Sequence, residues 1–143
     1  MRRYGDPVRP DRTYTTRPGA YGVIRRGREL LLTEQAEPGP ELQLPGGGVD
    51  PGESPVAALH REVHEETGWT IRVLRRLGAF QRFTYMPEYD IWARKVCAVY
   101  LCHPVLCRGA PSEPGHRPLW TPIPEAALRL GNAGDRAFVA GLR

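Results

Sequence analysis

The chain has 143 residues, of which 41% are hydrophobic and 25% are charged, and its formal net charge is +4. This length suits one domain with one hydrophobic core, and no apolar run approaches the roughly 18 residues that a membrane span requires. The basic residues are scattered along the chain, which does not favour a nucleic-acid-binding surface. The first residues lack the apolar stretch of a secretory signal, so we expect a cytoplasmic protein without membrane contact.

Three cysteines, Cys97, Cys102 and Cys107, stand at five-residue intervals. An odd number with this spacing forms no disulfide framework and matches no zinc-binding pattern. If Cys97 and Cys102 share a strand, their odd separation puts them on opposite faces of it. We expect buried or half-buried free thiols, in keeping with a reducing compartment.

The first part of the chain predicts an irregular arm followed by strands. Residues 1–12 mix Arg, Asp and Pro without periodicity, so we expect an irregular arm that could cross to a partner in a homodimer. Residues 14–26 and 29–35 predict the two strands of a hairpin. Residues 41–45 predict a short extended piece, and the glycines and prolines of residues 44–53 predict a loop.

The remainder predicts helices and longer strands. A helix is expected over residues 54–67, because Ser54 can cap its first turn and Gly68 can end it. Further strands are predicted at residues 69–83, 91–103 and 119–121, and helices at residues 124–130 and 135–142. Loops are predicted at residues 84–90 and 104–118. This order of elements indicates an α/β fold, with a mixed sheet and helices on both faces. We interpret residues 13–143 as a single domain.

The predicted helix over residues 54–67 carries three carboxylates on one face. At about 100° per residue, Glu62, Glu65 and Glu66 lie within about 100° of one another. Beside them lies a predicted buried stripe of Val56, Leu59 and Val63. Like charges four residues apart destabilise a helix by a few tenths of a kcal/mol, and the helix dipole disfavours anions near the C-terminus. A divalent cation such as Mg²⁺, which prefers oxygen ligands, would remove this conflict; the alternative is a solvated acidic face.

The loop before this helix strengthens the prediction of a cation site. Its glycines allow backbone atoms to approach a ligand or a metal closely. Arg61 lies two turns into the helix and is long enough to reach Glu53, just before the helix begins. We therefore predict a Glu53–Arg61 ion pair that holds the loop against the helix.

The segment from Gly47 to Trp69 resembles the signature of the Nudix hydrolase family. That signature is Gly, five residues, Glu, seven residues, Arg-Glu, an aliphatic residue, any residue, Glu-Glu, any residue, Gly and an aliphatic residue. The matching residues here are Gly47, Glu53, Arg61, Glu62, Val63, Glu65, Glu66 and Gly68. Trp69 stands where the family usually has Ile, Leu or Val, and a bulky apolar side chain should still pack there.

The resemblance implies an α/β/α sandwich in which the signature forms a loop-helix-loop against a mixed sheet. It also implies hydrolysis of the pyrophosphate linkage between a nucleoside diphosphate and another group X, with Mg²⁺, or Mn²⁺ in its place, as the cofactor. By this likeness the metal ligands would be Glu62, Glu65, Glu66 and the carbonyl oxygen of Gly47. Glu53 and Arg61 would be mainly structural.

Similar enzymes place the general base differently, so the resemblance leaves several candidates. Glu62 and Glu66 are candidates on the helix, and Glu88 is a third, in the loop predicted over residues 84–90. A solvated loop carboxylate is the alternative for Glu88. Tyr85 lies where family members similar to dinucleoside polyphosphate hydrolases have a tyrosine, so it is a candidate for substrate binding; ordinary packing is the alternative.

Two other functions compete with hydrolysis of a nucleotide-type small molecule. One is a nucleotide-sensing regulator or binding module that has the fold without useful catalysis. Such relatives often lose glutamates of the signature, and none is lost here. The other is removal of RNA caps or 5′ ends, which would require a larger basic surface or an extra domain. We therefore predict an enzyme that acts on a nucleotide-type substrate.

Overall fold

A computed structural model of the chain describes residues 1–37 and 39–142. The strands in these residues are β1 (Arg2–Gly5), β2 (Tyr14–Arg26), β3 (Glu29–Gln35), β4 (Glu41–Gln43), β5 (Gly46–Gly48), β6 (Trp69–Met86), β7 (Ile91–Cys107) and β8 (His116–Pro122). The helices are α1 (Pro55–Thr67), α2 (Ile123–Arg129) and α3 (Ala133–Ala140). None of the described helices is long and apolar enough to cross a membrane.

The strands form a mixed sheet in the order β1-β6-β7-β2-β3-β4, with β5 paired to β2 and β8 paired to β3. The pairs β1–β6 and β2–β7 are parallel, whereas β6–β7 and β2–β3 are antiparallel. One helix layer consists of α1 and the other of α2 and α3, each packed on its own hydrophobic cluster. The predicted α/β sandwich with a mixed sheet is confirmed.

Alternating side chains of the central strands supply both hydrophobic clusters, because successive residues of a strand point to opposite faces. The cluster beneath α2 and α3 buries Val23, Phe80, Val99 and Val139. The cluster beneath α1 buries Ile24, Tyr100, Leu59 and Val63. The central sheet is therefore covered on both faces, and its edges and strand ends are where a cleft can form.

The cysteines divide between these two clusters. Cys97 lies in the first and Cys102 in the second, so their predicted placement on opposite faces is confirmed. Burial raises the pKa of Cys97 to about 11 and that of Cys102 to about 12, which makes both thiols inert at neutral pH. Cys107 is exposed. The expectation of a buried thiol is wrong there, because β7 extends past the core at that end.

Helix α1 begins and ends at the predicted residues. The Ser54 hydroxyl accepts a hydrogen bond of 3.1 Å from the N–H of Ala57, and Gly68, at φ 76°, donates its N–H to the carbonyl of His64. The predicted buried stripe is correct for Leu59 and Val63 but wrong for Val56, which is 38% exposed. Val56 has the right angle on the helix but lies in the first turn, where the end of a helix has fewer neighbours.

The predicted irregular arm is wrong for its first residues. Arg2–Gly5 forms a strand that pairs in parallel with β6, where Arg2 lies opposite Phe80. The ring of Tyr4 packs edge-on against Phe80 at 5.5 Å. A short edge strand needs no apolar periodicity, since its backbone bonds come from the neighbour and one side chain can anchor it. The arm thus covers this chain's own sheet edge.

The long strands extend beyond their predicted ends. The β6–β7 ladder continues to the pair Met86 and Ile91, which shortens the predicted loop to a turn of residues 87–90. β7 also continues to Cys107, and β8 begins at His116, so the predicted loop over residues 104–118 becomes shorter at both ends. Cross-strand pairing stabilises these residues whatever their own propensity.

Candidate active site

The loop between β4 and α1 passes very close to its neighbours, and glycines make this possible. Gly46 and Gly47 lie in β5, opposite Tyr21 and Ala20 of β2. Gly46 has a φ of 147°, and a β-carbon on it would lie 2.2 Å from the Ala20 carbonyl oxygen. A β-carbon on Gly47 would lie 2.6 Å from the carboxyl carbon of Glu62. Only glycine therefore fits at Gly46, and a side chain at Gly47 would displace the carboxyl group of Glu62.

Arg61 connects this loop to the helix. Its Nε donates to Glu53 Oε2 at 2.8 Å and its Nη2 donates to Glu53 Oε1 at 2.9 Å, which is a bidentate ion pair. The same guanidinium donates to the carbonyl of Gly48 at 3.2 Å and to Glu62 Oε1 at 2.9 Å. Its hydrogen bonds lower the pKa of Glu53 to about 2. The predicted Glu53–Arg61 pair is confirmed.

Glu66 is the most buried carboxylate of the helix. Its Oε1 accepts a hydrogen bond of 2.9 Å from the N–H of Gly46, and its Oε2 lies 3.6 Å from His116 Nδ1. Burial raises the pKa of Glu66 to about 9, although the Gly46 bond opposes this. Burial also raises the pKa of Glu62, against the effect of Arg61. Without a cation, Glu66 therefore carries a proton at neutral pH.

Glu113 and His116 join these carboxylates, and the sequence did not predict them. Glu113 donates its backbone N–H to the carbonyl of Glu65 at 2.9 Å. Its Oε2 atom is buried and has no hydrogen-bond partner among the described residues. His116 Nδ1 lies 2.9 Å from the Thr33 hydroxyl. No fixed spacing from the signature points to either residue; a Glu and a His three positions apart just before a strand are the only signal.

The glutamates Glu62, Glu65, Glu66 and Glu113, together with His116, are called the acidic end below. Ligand atoms of Glu66, Glu113 and His116 lie within 4.8 Å of one another, and so do those of Glu62, Glu65 and Glu113. The Oε2 atom of Glu113 has no hydrogen-bond partner among the described residues, and burial desolvates the carboxyl of Glu66. Hard divalent cations prefer such oxygen donors, so the residues of the acidic end fit a metal ion.

The acidic end opens into a cleft of about 400 Å³. Of the predicted site residues, Gly47, Glu62, Glu66 and Glu88 line this cleft, whereas Glu53, Arg61 and Glu65 do not. Tyr85 does not line it either. Its ring packs against Trp92 at 5.2 Å and its hydroxyl donates to Asp90, so its position does not support the predicted substrate contact. Alternation along β6 turns Tyr85 away from the cleft, and Tyr89 lines the cleft in its place.

The wall of the cleft away from the acidic end contains buried charged groups. Asp135, in α3, is buried, and desolvation raises its pKa to about 7 even though a backbone hydrogen bond at Leu44 lowers it. Burial and the neighbouring Arg82 lower the pKa of Lys95. Both residues line the cleft. The cleft therefore has an acidic end and a wall on which opposite charges occur together.

The sequence has the features of a known domain over nearly its whole length. A family model described as the NUDIX domain matches residues 15–142. This match includes the glycine-rich loop, α1 and both residues that complete the acidic end. The chain belongs to the NUDIX family. The resemblance predicted from the signature is thus confirmed.

Two curated relatives match part of the NUDIX domain. The chain is 34% identical over 74 residues to a Bacillus subtilis protein named "Putative 8-oxo-dGTP diphosphatase", a match that covers 52% of this chain and 50% of that protein. It is 42% identical over 59 residues to the RNA pyrophosphohydrolase of Rhodopseudomonas palustris, covering 41% of this chain and 33% of that protein. The chain thus spans half or less of the length of these relatives.

Solved NUDIX structures share the fold. A NUDIX hydrolase from Nitrosomonas europaea superposes with a TM-score of 0.73 at 21% identity, covering 88% of this chain and 87% of that one. A MutT NUDIX hydrolase from Burkholderia pseudomallei gives a TM-score of 0.70 at 23% identity, covering 90% and 99%. At these identities the likeness shows the fold alone.

The one departure from the NUDIX signature, Trp69, is accommodated by another tryptophan. Its ring packs edge-on against Trp120 of β8 at 5.6 Å. The guanidinium of Arg26 lies 3.8 Å from the centre of the Trp120 ring, which is a favourable cation–π distance. The expectation that a bulky side chain still packs at this position is confirmed.

Proposed function

We propose that this NUDIX domain hydrolyses the pyrophosphate linkage of a nucleoside diphosphate joined to another group X, with Mg²⁺ as cofactor and Mn²⁺ as a substitute. The observation that carries the proposal is the acidic end, where four carboxyl groups and a histidine converge beside a cleft and Glu113 Oε2 has no hydrogen-bond partner among the described residues. The cleft, of about 400 Å³, falls within the range of roughly 300–1,000 Å³ found for small-molecule sites. Nucleotide-type activities named for the relatives support the same class of reaction.

The proposed metal-binding residues are Glu62, Glu65, Glu66, the carbonyl oxygen of Gly47 and, in addition, Glu113. When bound, a divalent cation would neutralise diphosphate charge and lower the pKa of a bound water. Arg61 and Glu53 would act by position, since their bidentate pair fixes the loop that contains Gly47. Glu66 is fixed in turn by the N–H of Gly46. The chain thus preorganises the acidic end before substrate arrives.

Hydrolysis forms a new bond from water oxygen to phosphorus, breaks the bridging P–O bond and releases protons to a base. Glu62, Glu66 and Glu88 are the proposed candidates for that base. Glu62 and Glu66 lie at the acidic end, whereas Glu88 lies in the turn of residues 87–90 and is exposed beside the cleft. A carboxylate in this role typically contributes 10²- to 10⁴-fold to the rate.

A substrate panel tests the proposal. It would contain NTPs including 8-oxo-dGTP, ADP-ribose, NADH, dinucleoside polyphosphates, nucleotide sugars and 5′-triphosphate RNA, each with Mg²⁺ or with EDTA. We expect Mg²⁺-dependent cleavage of at least one class, absent in EDTA. If nucleotides bind but no panel member is cleaved, the protein is a nucleotide-binding module instead, and the proposal fails.

A further inference from the structure

Three cations lie side by side on the sheet that floors the cleft. Arg17 of β2 pairs with Lys95 of β7, and Lys95 pairs with Arg82 of β6. Residues directly opposite each other on neighbouring strands project from the same face of the sheet, and neighbouring strands lie about 4.8 Å apart. All three residues line the cleft. They are called the cationic row below.

A row of like charges is destabilising in a protein without a bound anion. Directly opposed like charges disfavour strand pairing, and the pKa of Lys95 is lowered by burial and by Arg82. Across residues 1–37 and 39–142, no carboxylate oxygen lies within 4.0 Å of the side-chain nitrogens of this row. Asp135 and Glu88 line the same cleft without forming an ion pair with it. The row is therefore short of direct counter-charge.

The cationic row is separated from the acidic end along the strands. Gly47 pairs with Ala20, three residues from Arg17 on β2, which corresponds to about 10 Å at roughly 3.3 Å per residue. The Arg17 guanidinium stacks on Tyr89 at 4.7 Å. Tyr89 belongs to the turn beyond the Tyr14–Trp92 pair, on the side away from Gly47. This contact directs Arg17 away from the acidic end.

We propose that the cationic row binds a second anionic group of the substrate, a phosphate or a carboxylate, in addition to the diphosphate that is cleaved at the acidic end. Arginine and lysine side chains are the usual partners of such oxyanions, and the planar guanidinium can bind them with two hydrogen bonds. The inference rests on the proposed function, because the acidic end supplies the reference point. It narrows the substrate class to nucleotides that carry a further negative charge.

Matched substrate pairs test this inference. NADP⁺ differs from NAD⁺ by a phosphate, UDP-glucuronate differs from UDP-glucose by a carboxylate, and a 5′-triphosphate dinucleotide differs from its methylphosphonate-linked analogue by the charge of its phosphodiester. We expect the charged member of at least one pair to have a KM lower by about 10- to 100-fold, as charge-assisted hydrogen bonds typically give. The pair that responds identifies whether the anion is a phosphate, a carboxylate or a phosphodiester.

Variants of the cationic row test whether its residues cause the preference for the charged substrate. Lys95→Gln and Arg82→Gln should abolish the difference within the responding pair by raising the KM of its charged member. Arg72→Gln, an exposed arginine of β6 outside the cleft, is the control and should preserve the preference. An equal loss for both members would overturn the inference, because the cations would then act on the cleaved diphosphate. No preference in any pair would overturn it as well.

A binding measurement separates this inference from the proposed function. Calorimetric titration of the same pairs in EDTA measures affinity without turnover. If wild-type protein binds the charged member more tightly and Lys95→Gln does not, the row binds anions even if no substrate is cleaved. If substrates are cleaved while affinity and KM are equal within every pair, the proposed function stands and the inference fails.

Discussion

The acidic end and the cationic row lie in one cleft but are built differently. The acidic end takes three of its five residues from one helix, and Arg61 forms direct ion pairs with Glu62 and Glu65. The cationic row comes from β2 and from the β6–β7 hairpin, which are distant in the chain and meet only in the folded sheet. The comparison indicates that the chemistry of this domain is encoded locally, whereas its choice of substrate depends on the tertiary fold.

Glu66→Gln should have the largest effect on this comparison. The change keeps an acceptor for the Gly46 N–H but removes the charge, so we expect kcat/KM to fall by about 10²- to 10⁴-fold. Both members of each matched substrate pair should lose the same factor, since the acidic end acts on the shared diphosphate. Steady-state kinetics would check this, with the surface variant Glu125→Gln as control. A loss confined to the charged members would contradict the separation of the two regions, because the acidic end would then act on the second anionic group and not on the shared diphosphate.

Glu88→Gln tests where the base lies. If Glu88 is the base, kcat should fall by at least ~10²-fold for every substrate. If Glu62 or Glu66 is the base, kcat should change by less than about threefold. Glu88 would then be a residue of the cleft wall near the cationic row, with no part in the chemical step. Rapid-quench measurement of one turnover gives the chemical step directly. A near-normal rate removes Glu88 from the mechanism.

Arg61→Ala should weaken Mg²⁺ binding by about 10- to 100-fold, the usual effect of losing a residue that orients metal ligands. The loop that contains Gly47 would lose its bidentate anchor to the helix. Arg61→Lys keeps the positive charge but cannot form the bidentate pair with Glu53, so its Mg²⁺ affinity should lie between those of the wild type and Arg61→Ala. Titration calorimetry with Mg²⁺ measures the affinity. Unchanged affinity in Arg61→Ala would mean that the β2–β5 pairing alone fixes the loop.

Glu66 at the acidic end and Asp135, which lies near Arg82 and Lys95 of the cationic row, should both make the stability of the protein depend on pH. Burial raises the pKa of Glu66 to about 9 and that of Asp135 to about 7. Above the unfolded pKa values of 4.5 and 3.8, the folded protein retains protons that the unfolded chain has released. Stability without metal should therefore fall as pH rises, up to these folded values.

Thermal unfolding in EDTA between about pH 5 and about pH 8 would measure this fall in Tm. Asp135→Asn should flatten the lower part of the profile and Glu66→Gln the upper part. Mg²⁺ should oppose only the contribution of Glu66, because cation binding releases its proton. A Tm that is independent of pH in EDTA would contradict the raised pKa values.

The sequence predicted features whose physical cause is local. Helix α1 was predictable because Ser54 caps it, Gly68 ends it and its apolar residues recur at helical spacing. The Glu53–Arg61 pair followed from the reach of one side chain over a known helix geometry. By the same logic the strands over residues 14–26 and 29–35 were predicted with their observed bounds, since the turn between them contains Gly27.

Features that depend on distant pairing were not predictable. The strand β1 exists because β6 offers an edge, and its own sequence has no strand pattern. Glu113 reaches the acidic end because backbone bonds join Arg108 to Gly68 and Glu113 to Glu65. The cationic row requires the correct register of three strands. A shift of one residue in the register of any of them would turn its side chain to the other face of the sheet. Tyr85 was assigned to the substrate site by its spacing from the signature alone; strand alternation turns it away from the cleft, and Tyr89 of the turn over residues 87–90 lines the cleft instead.

The parallel pairing of β2 with β7 has a consequence for synthesis of the chain. Residues 14–26 leave the ribosome long before residues 91–107, which they must contact along most of their length. Closing so long a loop is entropically unfavourable and slows folding. β2 therefore lacks its longest partner strand until residues 91–107 have been synthesised, and the cleft, which residues of β7 line, forms only after that.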